Sequence, residues 1–271
     1  MNEQIAIPSS IPLGRRRLAA VLRHAGDLVH VADVVSALDV SRPAASKLLW
    51  RWARQGWLRR VGPGTYAAAS LDAVDRDRVL DDPWVLVPPL YSPCYVGGWT
   101  AAEHWDLTEQ LFRPIVVMTT RPVHEKQQTH HGTPFLLRHT HPRKLFGAKN
   151  VWRSRSPVMV SDIPRTIIDM LDDPAVGGGG QHVADCVAAY FAHHDRDDAA
   201  LIEYAELLGN GAVFKRLGFM AEQRAERHLV DECADRLTGG YAMLDPALPC
   251  TVPIARWRLR IPAGWHGFGD D

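Results

Sequence analysis

The chain has 271 residues, 46% hydrophobic and 23% charged, with a formal net charge of zero, the composition of a globular protein of one large or two modest domains. No run reaches the roughly 18 apolar residues of a membrane span, and residues 1–13 lack the charged-then-apolar layout of a secretory leader. The four cysteines (Cys94, Cys186, Cys233 and Cys250) form no C-x-x-C pair, which favours reduced thiols in a cytoplasmic protein over a disulfide framework or a zinc site.

The zero net charge conceals a gradient. Residues 1–68 hold ten Lys and Arg against four acids, and the remainder balances them with the opposite sign. A basic end on a neutral protein points to a polyanionic partner for that end.

Helical spacing of Leu18, Val21 and Leu22 predicts a first helix over about 13–25, behind Arg15, Arg16 and Arg17 and stopped by Gly26 and Asp27. A second helix is expected over 31–38. Ser41 is placed to cap a third, with Pro43 in its first turn and Gly56 after its end near Gln55. Its apolar face is Ala45, Leu48, Leu49 and Trp52, which leaves Arg42, Ser46, Lys47, Trp50, Arg51 and Arg54 facing outward. Two helices joined by a tight turn, the second one basic, form the helix-turn-helix pattern. Arg and Lys on such a face suit phosphate oxygens and the guanine edge. Trp57–Val61, Gly62-Pro63-Gly64 and Thr65–Ala68 then read as a hairpin, a wing carrying Arg59 and Arg60. The plainer alternative is a packing module with solvated charges; the ordered set of turn, basic helix and basic wing outweighs it.

Residues 71–82 are polar and charged and read as a connector, with the boundary near residue 75: a winged helix-turn-helix over 1–75 and a larger mixed α/β domain over 76–271. In that larger part, strands are expected at Val85–Val87, Pro114–Thr120 and Phe135–Arg138, with a hairpin from Val151–Arg153 and Val158–Val160. A helix is expected over Tyr95–Leu107, then others over 164–171, 183–192, 198–208 and 212–237, the last broken near Gly218. Extended residues 257–261 close the chain. The fold class is α+β.

Between Arg113 and Arg155 a second basic stretch appears: Arg113, Arg121, Lys126, Arg138, Arg143, Lys144, Lys149, Arg153 and Arg155, against Glu125 alone. It would extend a DNA footprint or meet RNA, unless its charges never converge.

Other features yield to duller readings. His124, His130, His131, His139 and His141 lack neighbouring cysteines, so no metal is assigned. Gly177–Gly180 has no following Lys-Ser or Lys-Thr and reads as a flexible link, not a phosphate loop. Asp169, Asp172 and Asp173 read as a solvated helix end, with Arg165 and Asp169 at ion-pair spacing. Ser92, His104 and Asp106 form no nucleophile motif. Neither catalysis nor a cofactor is expected.

Three segments in this order carry a family resemblance: the run from Tyr95 through Gly97, Gly98 and Trp99 to Gln110, the run Val160–Asp169, and Lys215–Phe219. With the basic N-terminal module they resemble the AbiEi family, antitoxins of bacterial type IV toxin–antitoxin pairs, from the module to about Ile261. The chain departs from the family pattern at Trp105-Asp106-Leu107, where several members carry Gly-Leu. The resemblance implies a DNA-binding antitoxin that represses its own operon at promoter inverted repeats. It implies a C-terminal domain that counteracts a nucleotidyltransferase-like toxin, without requiring a stable complex. The rivals are a winged-helix repressor answering to a metal or metabolite, and a nuclease or nucleotidyltransferase directed by the winged helix.

Overall fold

The computed structural model describes residues 12–25, 28–62, 64–68, 82–153, 156–265 and 267. Gly26, Asp27, Pro63, Arg155 and the expected boundary at residue 75 lie outside the described residues. The protein is mixed α+β and divides into two compact units, Met1–Ser92 with Val151–Val158, and Pro93–Asn150 with Met159–Asp271.

The first unit runs α1 (Leu13–Ala25), β1 (Leu28–His30), α2 (Val31–Leu38), α3 (Arg42–Arg54), β2 (Leu58–Gly62) and β3 (Thr65–Ala68). The strands form an antiparallel sheet in the order β1-β3-β2. Strand β1 has three residues, too few for an alternation to stand out, and it exists because β3 pairs with it. The turn between α2 and α3 is made by Asp39 in the left-handed region, φ 49°. Val21, Val29, Val34, Ala45, Leu49, Trp52 and Leu58 form one core. Val85–Val87, expected as a strand, is helical instead. A 3-10 turn over Pro83–Leu86 leads directly into α4 (Val87–Tyr91). The Asp82 carboxylate accepts from Trp84 N–H at 3.0 Å, which caps that turn, and Pro83 supplies its φ.

The second unit holds a six-stranded sheet made from β4 (Cys94–Val96), β5 (Ile115–Thr119), β6 (Gln127–His130), β7 (Thr133–His139), β8 (Ala148–Arg153) and β9 (Ser156–Ser161). The order is β6-β7-β5-β4-β9-β8, and the turn end of the β8–β9 hairpin is the segment that counts with the first unit. Every residue of β5 is buried, as an inner strand covered on both faces requires.

The helix expected over Tyr95–Leu107 is a strand followed by a shorter helix, α5 (Gly98–His104). Gly97 is extended and Gly98 has φ +56°, so the pair turns the chain between the two elements. A β-carbon on Gly98 would also collide with the Val176 carbonyl.

Five helices complete the unit: α6 (Ile163–Asp172), α7 (Gly180–Ala192), α8 (Asp198–Leu208), α9 (Gly211–Gln223) and α10 (Arg227–Asp235). Helix α6 lies at their centre and packs against α5, α7, α8 and α9. A small sheet, β10 (Ala242–Met243), β12 (Leu259–Ile261) and β11 (Val252–Ile254) in that order, closes the chain.

Two expectations fail here. Helix α9 runs unbroken through Gly218, and the chain breaks at Arg224–Glu226, where Ala225 has φ 57°. The run Gly177–Gly180 is a packed turn instead of a flexible link. A side chain on Gly177 would strike Val183, and one on Gly178 would strike Phe112.

Candidate nucleic-acid interface

Helix α3 sorts its residues by the 3.6-residue period. Ala45, Leu49 and Trp52 are buried, and Arg42, Ser46, Lys47, Trp50, Arg51 and Arg54 are all exposed. Among the described residues, none of its four cations is paired with a carboxylate. Arg51 and Arg54 lie in the last turn, where a cation is favoured by the helix dipole. Arg42 is in the first turn, where the dipole opposes it, and the Ser41 side chain makes no capping bond there. Trp50 is 56% exposed, with the Arg54 guanidinium 4.8 Å from the centre of its ring. An indole and a guanidinium thus share one open face.

Strand alternation separates the two arginines of β2. Arg59 is half-buried and Arg60 exposed, on opposite faces of β2, and Arg60 Nε donates to the Gly62 carbonyl at 3.3 Å. Arg15, Arg16 and Arg17 are exposed on the first turns of α1, again at the positive end of a helix dipole. Arg15 also lies over the Trp57 ring, 5.5 Å from its centre.

The second basic stretch disperses. Arg113, Arg121, Arg143 and Lys149 are exposed on separate loops and strands of the second unit. Arg153 belongs to the first unit, its guanidinium 4.0 Å from the Trp84 ring centre. Arg155 lies outside the described residues. Lys126, Arg138 and Lys144 do come together, around a cavity of about 460 Å³ in the second unit. His139 and His141 line the same cavity. The histidines that approach one another at metal-binding range are not in this group. Among the described residues that cluster is His193, His194 and Asp195, on a largely exposed turn.

The floor of the cavity holds a polar network that spacing alone revealed only in part. Arg165 and Asp169 form the expected ion pair, Nε to Oδ1 at 2.9 Å, but both are buried, so Asp169 is no solvated helix end. Tyr95 joins them: its hydroxyl donates to Asp169 Oδ2 at 2.9 Å and accepts from Arg165 at 2.8 Å. Asp162 caps α6 by accepting from Arg165 N–H at 3.0 Å, and it also accepts from the Tyr204 hydroxyl at 3.1 Å.

Burial pushes the Asp169 carboxyl up to about 6, against the pull of the Arg165 charge and the Tyr95 hydrogen bond. Burial likewise holds the Tyr95 phenol well above its ordinary range. Burial opposes the charge of Arg165 too, but Asp169 and Tyr95 outweigh it and leave that guanidinium firmly protonated.

A further buried pair escaped the reading of the sequence. Lys215 Nζ donates to the carbonyls of Gly239 and Gly240. Arg216 donates to those of Leu171, Asp172 and Met243. The signals for them were two adjacent cations inside an apolar helix and their place in the segment Lys215–Phe219 that carries the resemblance, neither of which gives their partners.

No protein-family model matches the chain, and no curated protein matches it. Among solved structures, the RV2827C protein from Mycobacterium tuberculosis is similar in fold, with a TM-score of 0.62 at 15% identity. The match covers 93% of this chain and 92% of that one, and at this identity it speaks for the fold alone. No helix among the described residues is long and apolar enough to cross a membrane.

Proposed function

We propose that the first unit is a winged helix-turn-helix that binds duplex DNA, and that the chain is a transcriptional regulator. The observation that carries this reading is the open face of α3: Arg42, Lys47, Arg51 and Arg54, all exposed and without carboxylate partners among the described residues. Solvation alone gives no reason to place Arg42, Arg15, Arg16 and Arg17 at the positive ends of two helices. A phosphate bound there would reverse the sign of that cost. The order of helices, turn and antiparallel strands matches the docking geometry in which the second helix of the pair enters the major groove. In this reading Arg42, Ser46, Lys47 and Arg51 read or anchor in the groove, and Arg60 reaches the flanking backbone.

The finer reading is an antitoxin of the AbiEi kind. It would bind inverted repeats in its own promoter and counteract a nucleotidyltransferase-like toxin through the second unit. The segments that support it are those around Tyr95 and Arg165, which meet in one buried network, and Lys215–Phe219, buried within α9.

The test is a gel-shift titration, at fixed salt, on the duplex upstream of its own gene. Lys47→Ala with Arg51→Ala is expected to weaken binding at least about tenfold, each lost contact being worth roughly 1–3 kcal/mol. Equal affinity in wild type and variant would refute the assignment of α3. The antitoxin reading is tested by co-expression with the neighbouring reading frame: growth arrest by that frame should be relieved by this chain.

A further inference from the structure

We infer that the cavity in the second unit is a binding site for a small organic phosphate, a phosphate group on an apolar or aromatic body of about nucleotide size. The inference does not depend on what α3 binds.

Charge accounting inside the cavity gives the sign of the ligand. Three carboxylates line it, and each is already engaged. Asp169 is held by Arg165 and Tyr95, Asp173 is paired with Arg138, and Asp172 accepts from Asn210 Nδ2 at 2.6 Å. Arg138 and Arg165 balance Asp173 and Asp169, while Asn210 is neutral and leaves the Asp172 charge standing. Lys126 and Lys144, neither paired with a carboxylate among the described residues, therefore leave the lining with one positive charge in excess. His141 adds a directed donor. Its Nδ1 accepts from Arg143 N–H at 3.2 Å, which leaves Nε2 to carry the ring proton. Two ammonium groups and an imidazole N–H among the residues that line one cavity suit the three acceptor oxygens of a phosphate.

Shape and wall chemistry give the rest of the ligand. About 460 Å³ is far more than an inorganic phosphate fills and falls in the range of small-molecule sites. Met118, Val123 and Leu137 line the same space, an apolar wall that would be idle against a bare ion. The floor is rigid, because Tyr95, Arg165 and Asp169 fix one another through hydrogen bonds of 2.8–2.9 Å. A preformed site loses little on ordering.

The experiment is isothermal titration calorimetry of the full chain at fixed ionic strength. The probes are inorganic phosphate, glucose 6-phosphate and the four nucleoside 5′-monophosphates. At least one organic phosphate should bind at least about tenfold more tightly than inorganic phosphate. Lys126→Ala with Lys144→Ala should weaken that binding at least about tenfold without moving the thermal midpoint. Val123→Trp, which fills the cavity and leaves the charge unchanged, should abolish it. No saturable binding by any probe overturns the inference. Binding that survives Val123→Trp overturns it as well, since the ion would then be held on the open surface.

Discussion

Gly218 lies against the indole of Trp257 so closely that a β-carbon at position 218 would come within 2.0 Å of a ring carbon. Trp257 is fully buried, and its Nε1 donates to Glu222 Oε2 at 2.6 Å, so it is anchored at both its face and its edge. The contact ties the last strands of the chain to α9. Gly218→Ala gains helix propensity but must displace that ring. It should destabilise the protein by about 1–3 kcal/mol, as overpacking does, read as a lower urea midpoint. An unchanged midpoint would mean that the indole moves aside freely.

The two tryptophans of α3 should behave oppositely. Trp52 is 1% exposed in the core of the first unit and Trp50 is 56% exposed. Trp52→Ala should cost about 3–5 kcal/mol. Trp50→Ala should cost no more than about 0.5 kcal/mol and should lower affinity for duplex DNA if that face meets it. Chemical denaturation of both variants checks the contrast.

Asp169 should give an unusual pH dependence. Its folded carboxyl titrates at about 6 and its unfolded one near 3.8, because burial outweighs Arg165. The folded state therefore holds a proton that the unfolded state releases. This contribution is fully present below the unfolded value and is lost as pH rises through about 6. Relative to Asp169→Asn, the wild type should lose stability between about pH 4 and pH 6, as measured by urea midpoints across that range. A difference that grows in favour of the wild type over that window would show that Arg165 wins instead.

Arg216 satisfies carbonyls at the end of α6 and at Met243. Arg216→Met keeps most of the volume and removes every donor. An unsatisfied buried acceptor costs about 1–3 kcal/mol, so a loss of at least about 2 kcal/mol is expected, with a cooperative unfolding curve. A variant as stable as the wild type would mean that water replaces the guanidinium.

If Lys47 contacts a phosphate, its removal should change the salt dependence of DNA binding as well as the affinity. The slope of log K against log salt should become shallower by about 1 for Lys47→Ala. A slope that does not move would place Lys47 away from the DNA backbone.

The local elements of the first unit were legible because their signals are short-range. Helical spacing over 13–25, 31–38 and 42–54 reports which residues share a face, and one apolar face per helix is enough to orient α3. The Arg165–Asp169 pair was legible for the same reason, since four residues make one helical turn. Periodicity failed where an apolar run is short or a glycine is decisive. Val85–Val87 became helical through the Asp82 cap, and Tyr95–Leu107 split at Gly97 and Gly98. The cavity was illegible by any local rule. Tyr95 comes from β4, Lys126 precedes β6, Lys144 follows β7 and Arg165 lies on α6, so strand pairing must bring them together before their charges can act on one space. Sequence alone determined which groups are charged and which face of a helix they occupy. Burial decided which of those charges stay in water, because only packing removes the solvent that would otherwise screen them.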